Sequence, residues 1–156
     1  MRNYTFTVPA KPQGKGRGKA FSTPAGIRVR TPEATRSYES LVRAWASDCM
    51  GDDPQLIGPV VVQICAVWPR SKHLARISKR TGQPLESTQR MPYTSSPDID
   101  NVIKSICDGC NGIIFKDDRQ VVSVAAVKLY AAMVLKDGQH CEELPHVRVI
   151  VTEWQA

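Results

Sequence analysis

The segment 59–68 (Pro-Val-Val-Val-Gln-Ile-Cys-Ala-Val-Trp) constrains the fold of this chain more than any other part. It is an almost unbroken run of apolar residues, many of them β-branched, which is typical of a central strand. Such a strand needs neighbouring strands at its edges and a layer that covers it. We therefore expect a sheet with this segment at its centre and helices packed against it.

The other periodic segments give the order of elements around this strand. Residues 4–8 alternate and contain only β-favouring types, so they predict a first strand. Thr31-Pro32-Glu33 has the hydroxyl N-cap and early proline of a helix start, and this helix is expected to end near Gly51. The rest of the chain predicts a helix over 99–110 that ends at Asn111-Gly112, strands over 121–133 and 146–154, and a turn or hairpin over 135–145.

The order β-α-β-α-β-β predicts an α/β fold, a small mixed β-sheet of about four strands with two main helices packed on it. A length of 156 residues is usual for one domain, so we expect a single domain over 1–156. The sequence has no apolar run of about 18 residues, the minimum for a membrane span, and we expect none.

The five cysteines favour a reducing compartment, and we expect the cytoplasm. Cys107 and Cys110 have the spacing of half a zinc site, but a zinc site needs two more ligands at suitable spacing, and none is evident. We therefore expect both to be buried thiols on the apolar side of the second helix.

Two basic stretches, about 10–30 and 70–96, lack a sustained apolar period and are predicted to be loops, the second with room for a short helix over 74–79. Because the net charge is +6, these loops predict attraction to a polyanion without identifying it. For the glycine-rich first loop, a mobile solvated loop and a phosphate-contacting arm both remain open. Phe21 or Tyr93 is a candidate to stack on an unpaired base. The candidate DNA contacts are Lys11, Lys15, Arg17, Lys19, Arg70, Lys72, Arg76, Lys79 and Arg80.

An acidic cluster over 98–118 stands out in this basic chain. Pro97 favours an extended approach to the second helix, which would let Asp98 and Asp100 face the same way at its N-terminus. Asp117 and Asp118 follow the helix and precede a strand. A helix antiparallel to that strand would normally place them at its far end, so the residues alone do not bring Asp118 to the other two.

Carboxylates with open coordination suit hard divalent cations such as Mg²⁺, and two such ions can assist in-line phosphodiester hydrolysis. Lys104 could neutralise charge that develops on a phosphate. The competing interpretation is an ordinary charge ladder of Lys104 with Asp108 on the polar helix face. That ladder leaves Asp98 and Asp100 without a nearby basic partner in sequence. An EF-hand is excluded, since Val102 stands where a third ligand would be needed.

Two blocks of the chain resemble signatures of the RusA-like Holliday-junction resolvases. The segment 97–104 (Pro-Asp-Ile-Asp-Asn-Val-Ile-Lys) is similar to the pattern P-D-[IL]-D-N-[LV]-x-K, and 116–121 (Lys-Asp-Asp-Arg-Gln-Val) to [KW]-D-D-x-Q-[VI]. Between them, 108–112 (Asp-Gly-Cys-Asn-Gly) resembles the D-x-L-N-G helix end of phage members. Residues 12–17 and 31–39 fit the phage-type pattern more loosely. The resemblance thus extends over most of the chain.

The resemblance implies a homodimeric endonuclease that binds four-way DNA junctions and nicks two strands symmetrically. It implies that Asp98, Asp100 and Asp118 bind Mg²⁺, with Mn²⁺ as a substitute, that Lys104 assists catalysis, and that Asp117 is a further metal ligand or a supporting residue. It also implies a bacterial host and a phage or prophage origin. The basic loop over 70–90 is longer here than in compact members of the family, so the resemblance does not define which surface contacts the substrate.

Two alternatives stay beside this interpretation. A non-catalytic, junction-binding architectural module would keep the fold, but it has no use for acids that repel phosphates. A metal-dependent nuclease for other branched DNA would use the same acids, and the sequence does not distinguish it from a junction resolvase.

Overall fold

The structure is a computed structural model that describes residues 2–155, except for the side chain of Lys19. The chain forms, in order, β1 (Asn3–Val8), β2 (Lys19–Thr23), β3 (Gly26–Arg30), α1 (Glu33–Met50), β4 (Val60–Trp68), α2 (Ile99–Cys110), a 3-10 turn (Asp118–Gln120), β5 (Val121–Tyr130), β6 (Met133–Lys136), β7 (Gln139–Glu142) and β8 (His146–Glu153).

The main sheet has four strands in the order β1-β8-β4-β5. β8 pairs antiparallel with both β1 and β4, whereas β4 and β5 pair in parallel. A parallel pair requires a crossover connection, and the segment that contains α2 supplies it. The predicted α/β class, with a mixed four-stranded sheet and two helices, is confirmed, and so is the central position of the β4 segment.

The hydrophobic core lies between the two helices and one face of this sheet. Alternate residues of β4 from Val60 to Trp68 point into it and are at most 3% exposed. No helix of the described part of the chain covers the opposite face of the sheet, and Val127 of β5 is 43% exposed there. At one end of this face Val67 is fully buried and Arg90 contacts Cys65, so the face is open over part of its length.

The two helices cross at a very short separation. Gly109 of α2 packs directly on Val42 of α1, and a Cβ atom built on Gly109 would lie 2.5 Å from the Val42 Cγ1 atom. Only a residue without a side chain permits this approach. The same contact fixes Asp108, the preceding residue, beside Glu39 of α1.

Some local predictions were wrong. Residues 19–30 form the β2–β3 hairpin within the first predicted loop, and no helix forms over 74–79. Thr31 does not cap α1, because Pro32 occupies the N-cap position with extended backbone and no side-chain cap is formed. The predicted connection over 135–145 is indeed a hairpin, made by β6 and β7. No helix within residues 2–155 is long and apolar enough to span a membrane.

Candidate active site

Asp98 and Asp100 lie at the N-terminus of α2. Asp98 is the N-cap residue, with extended backbone (φ −65°, ψ 151°), and its side chain caps no N–H group of the helix. Asp100 is in the first helical turn, and both residues are exposed. The predicted extended approach is confirmed for Asp98, while Asp100 already belongs to the helix. The two carboxylates face solvent at the positive end of the helix dipole.

Lys104 pairs with Asp100 one turn earlier, at 3.4 Å, and both side chains are 61% exposed. Asp108 pairs instead with Lys15, which arrives from the first basic stretch. The competing interpretation, a ladder between Lys104 and Asp108, is therefore wrong, because tertiary structure supplies Asp108 with a different cation. The statement that Asp100 has no nearby basic partner in sequence is also wrong, since Lys104 is that partner. Exposed pairs of the Asp100–Lys104 type stabilise a helix by only about 0.5 kcal/mol or less.

The two acids of the Asp-Asp pair have different surroundings. The Asp117 side chain accepts a hydrogen bond from the backbone N–H of Arg119 at 3.0 Å and also pairs with the Arg119 side chain. That backbone hydrogen bond, and then the side-chain bond, lower the pKa of Asp117. Asp118 is exposed and forms no ion pair within the described residues. The geometry thus gives Asp117 a structural task and leaves the Asp118 carboxylate available.

Gln120 is a residue whose task sequence reasoning missed. Its side-chain amide donates to the carbonyl oxygens of Leu56 and Gly58, both at 2.9 Å, and its carbonyl oxygen accepts from the N–H groups of Lys116 and Asp117. It therefore ties the acidic turn to the segment that leads into β4. Its place in the segment 116–121, which is similar to a signature of the family that resemblance suggested, was the signal that could have drawn attention to it.

Lys128 of β5 has a comparable role at the other end of α2, and nothing in the sequence indicated it. Its amino group donates to the carbonyl oxygens of Ser95 and Pro97 and lies 5.1 Å from the Tyr93 ring centre. Tyr93 in turn stacks on the buried Trp68, with ring centres 4.5 Å apart. This packing orders the chain immediately before Asp98.

Asp118 lies toward the later part of α2. The pKa of Lys15 is raised mainly by its hydrogen bond to Asp108, and the negative charges of Glu39 and Asp118 contribute. Burial raises the pKa of Cys107 to about 11, with smaller contributions from Asp108 and Asp118. These contributions place the Asp118 carboxylate near Lys15 and Cys107, and no hydrogen bond or ion pair joins it to Asp98 or Asp100 among the described residues.

The three predicted carboxylates have the donor chemistry of a Mg²⁺ site but not the geometry of a closed one. Within residues 2–155, no group of three or more His, Cys, Asp or Glu side chains has a geometry that could hold a metal ion. The donor type fits a hard cation, because exposed carboxylate oxygens are what Mg²⁺ binds. The arrangement does not fit a cage made from protein ligands alone.

Glu39 is a further acid near this region. One of its carboxylate oxygens is buried without a hydrogen-bond partner in the described structure. Burial, and then the charge of Asp108, raise the pKa of Glu39. Cys107 and Cys110 are buried as expected, at 8% and 1% exposure.

The predicted DNA-contacting cations divide into distinct groups. Arg70 is only 6% exposed, and its guanidinium donates to the carbonyl oxygens of Ala131, Leu74 and Gln89. Its prediction as a DNA contact is corrected, because these bonds use the guanidinium to hold the long loop. Lys15 is paired with Asp108, as described above. The cations that remain exposed are Lys11, Arg17, Lys72, Arg76, Lys79 and Arg80. The side chain of Lys19 lies outside the described part of the structure.

Fold and site together define a class: a small α/β protein with a half-covered mixed sheet and an exposed acidic site beside a cationic segment. The chain belongs to the RusA endodeoxyribonuclease family, since the family model for endodeoxyribonuclease RusA matches residues 9–135. This range contains both acidic blocks, and it confirms the resemblance. Family membership indicates a DNA endonuclease. The chain is also 29% identical over 153 residues to the uncharacterized protein YqaN of Bacillus subtilis (strain 168), covering 97% of this chain and 96% of that relative.

Proposed function

We propose that this chain is a structure-selective endodeoxyribonuclease that resolves four-way DNA junctions by paired, symmetric, metal-dependent hydrolysis during recombination and repair. The observation that carries the proposal is the exposed pair Asp98 and Asp100 at the start of α2, with Lys104 one turn later, in a chain of the RusA family. A protein that only binds DNA gains nothing from carboxylates in this place, since they repel phosphates.

We infer that Asp98, Asp100 and Asp118 bind Mg²⁺, for which Mn²⁺ can substitute, and that Asp117 supports them by shaping the turn. Mg²⁺ is commonly held by one or two carboxylates together with substrate phosphates, which is consistent with carboxylates that form no closed cage without DNA. When bound, such an ion activates water and stabilises charge on the phosphate. Lys104 projects from the same exposed helix face, where its ammonium group can neutralise a phosphate oxygen.

We infer that the enzyme acts as a homodimer, because a two-fold protein matches two strands that must be cut together. The open part of the sheet face supports this inference. A shallow depression of about 330 Å³ lies there, where the apolar side chains of Val127 and Ile150 are interspersed with the polar side chains of Gln63 and Arg148. An exposed surface with both apolar and polar groups is compatible with a protein interface. We place the enzyme in the cytoplasm of a bacterial host, where its free cysteines stay reduced, with a phage or prophage origin.

The test is cleavage of a labelled mobile four-way junction by purified protein in Mg²⁺, in Mn²⁺ and in EDTA. Asp100→Asn is expected to abolish cleavage while junction binding is kept or tightened, because a charge that repels phosphate is removed. Asp52→Asn is the matched control, since Asp52 is an exposed acid in the turn after α1. Cleavage that persists in EDTA or in the Asp100 variant would refute the metal-dependent mechanism.

The alternatives are separated by the same preparation. Tight junction binding without cleavage in any divalent metal would favour the architectural module. Equal cleavage of four-way, three-way and flapped substrates would favour a nuclease for other branched DNA.

A further inference from the structure

The β2–β3 hairpin projects from the body of the protein and buries almost nothing. Its apolar side chains are among the most exposed of the described residues, at 44% for Phe21, 78% for Ile27 and 70% for Val29. A two-stranded ribbon is at best marginally stable in water. A ribbon that exposes apolar side chains in this way is expected to have a binding partner.

The two faces of this hairpin have different chemistry. The antiparallel register places Phe21 directly opposite Arg28, and directly opposed residues share a face. Because side chains alternate along a strand, Arg30 lies on the face of Phe21 and Arg28, whereas Ile27 and Val29 lie on the other. The hairpin is therefore cationic on one side and aliphatic on the other.

The charge around the hairpin selects a polyanion. Residues 10–32 contain six Lys or Arg and no Asp or Glu. Arg28 and Arg30 are exposed, and neither forms an ion pair with another described residue. Cations that no carboxylate neutralises are the groups that contact DNA phosphates.

The base of the hairpin adjoins the candidate active site. The N–H group of Lys15 donates to the carbonyl oxygen of Asn101 in α2 at 2.8 Å. Gly14 packs so closely on Pro97, the residue before Asp98, that a Cβ atom there would lie 2.6 Å from the Pro97 Cβ atom. The chain thus leaves the start of α2 at Lys15, contacts Thr35 near the start of α1 through Gly16, and enters β2 three residues later.

We propose that the β2–β3 hairpin recognises the branch point of the DNA substrate. Arg28 and Arg30 bind phosphates near the crossing strands, and Ile27 and Val29 pack on the base pair that the branch point leaves unstacked. A continuous duplex offers no such flat apolar surface, since each of its base pairs is covered by the next. The proposal rests on the junction-cleaving function above and adds the element that selects the branched substrate.

The experiment compares binding of a four-way junction and a linear duplex of the same sequence, in EDTA, over a range of salt concentrations. The variants are Arg28→Gln/Arg30→Gln and Ile27→Thr/Val29→Thr, the second pair keeping β-branched side chains in the strand. Lys136→Gln and Leu144→Thr are the controls, because both residues are exposed and lie outside the hairpin.

The arginine pair is expected to lower the slope of log K against log salt by about 1.8 on both DNAs, at about 0.9 for each lost phosphate contact. The threonine pair is expected to weaken junction binding about tenfold, the scale of two partly buried aliphatic side chains, and to leave duplex binding unchanged. A threonine pair that weakens binding equally on both DNAs, or no loss of binding with either pair, would overturn the proposal.

Sedimentation velocity of the same variants tests whether the aliphatic face instead binds a second copy of the chain. If the wild-type protein is an oligomer and the Ile27→Thr/Val29→Thr variant is a monomer, this face is an interface between copies and the proposal is overturned. Wild-type protein that prefers the junction but never cleaves it would sink the proposed function and leave the hairpin assignment standing. Wild-type protein without any preference for the junction would refute the hairpin assignment.

Discussion

The contact of Gly109 with Val42 gives a stability prediction that can be worked from the coordinates. In Gly109→Ala, the new Cβ atom would lie 2.5 Å from the Val42 Cγ1 atom and 3.1 Å from the Glu39 carbonyl oxygen. Carbon atoms in contact prefer about 3.5–4.0 Å, so the overlap is about 1 Å. Val42 is fully buried and its branched side chain is stiff in a helix, so it cannot turn away. The two helices must separate instead.

Overpacking of this kind costs up to about 3 kcal/mol. Replacing a helical glycine by alanine returns about 1 kcal/mol through helix propensity. The net expectation is a loss of about 2 kcal/mol in the free energy of unfolding. For a chain of this size, that corresponds to a fall in Tm of about 4–8 °C.

The assay is thermal and urea unfolding of Gly109→Ala, Val42→Gly and the double variant. The new Cβ atom would also lie 2.6 Å from the Val42 Cβ atom, and Val42→Gly removes both side-chain atoms that clash, so the double variant should be less destabilised than the sum of the single changes by about 1–2 kcal/mol. Gly58→Ala is the control, because no atom lies within 4 Å of a Cβ there. If Gly109→Ala raises the Tm, or if the two changes are additive, the close helix crossing is refuted.

Further predictions concern the site and its support. Lys104→Gln is expected to slow cleavage while changing the Tm by no more than about 2 °C, since the exposed pair that it breaks contributes at most about 0.5 kcal/mol; a collapse of the thermal transition would contradict this. Arg70→Met should destabilise the protein by about 2–4 kcal/mol by removing charged hydrogen bonds to buried carbonyl groups, and it should speed proteolysis within residues 70–96. Unchanged proteolysis would exclude the role of Arg70 in holding that loop. Cys107 and Cys110 should resist a thiol reagent at pH 8 in the folded protein, because burial raises the pKa of Cys107 to about 11 and that of Cys110 still further. Rapid modification of either thiol before unfolding, detected by mass spectrometry, would show that α2 is not packed as described.

The sequence predicted the elements whose own periodicity specifies them. The β4 segment, the apolar face of α2 and the alternation of β1 and β8 each carry a local pattern that only one kind of secondary structure satisfies. The α/β class followed from the order of those patterns. The β2–β3 hairpin was missed because its strands are short and exposed and have no buried face to produce an alternating pattern.

The sequence proposed residues for the candidate site but did not indicate how they pair with other residues. The sequence singled out Asp98, Asp100, Asp118 and Lys104, and the structure places the first two together at the start of α2. It could not show that Asp108 belongs to Lys15, because these residues are far apart in the chain and meet only where the first basic stretch crosses α2. The sequence also could not show that Arg70, whose positive charge suggested a DNA contact, is buried and donates its hydrogen bonds to backbone carbonyl groups.

What the sequence by itself determined is therefore the set of chemical groups and the local elements that carry them, since periodicity and residue type act over a few neighbouring positions. Only the tertiary structure decided which carboxylates are left free. Asp108 pairs with Lys15 from a distant part of the chain, whereas Asp98 and Asp118 form no ion pair with another described residue. A charge is neutralised by whatever the fold brings within a few ångströms of it, and that distance is not written in the spacing of residues along the chain.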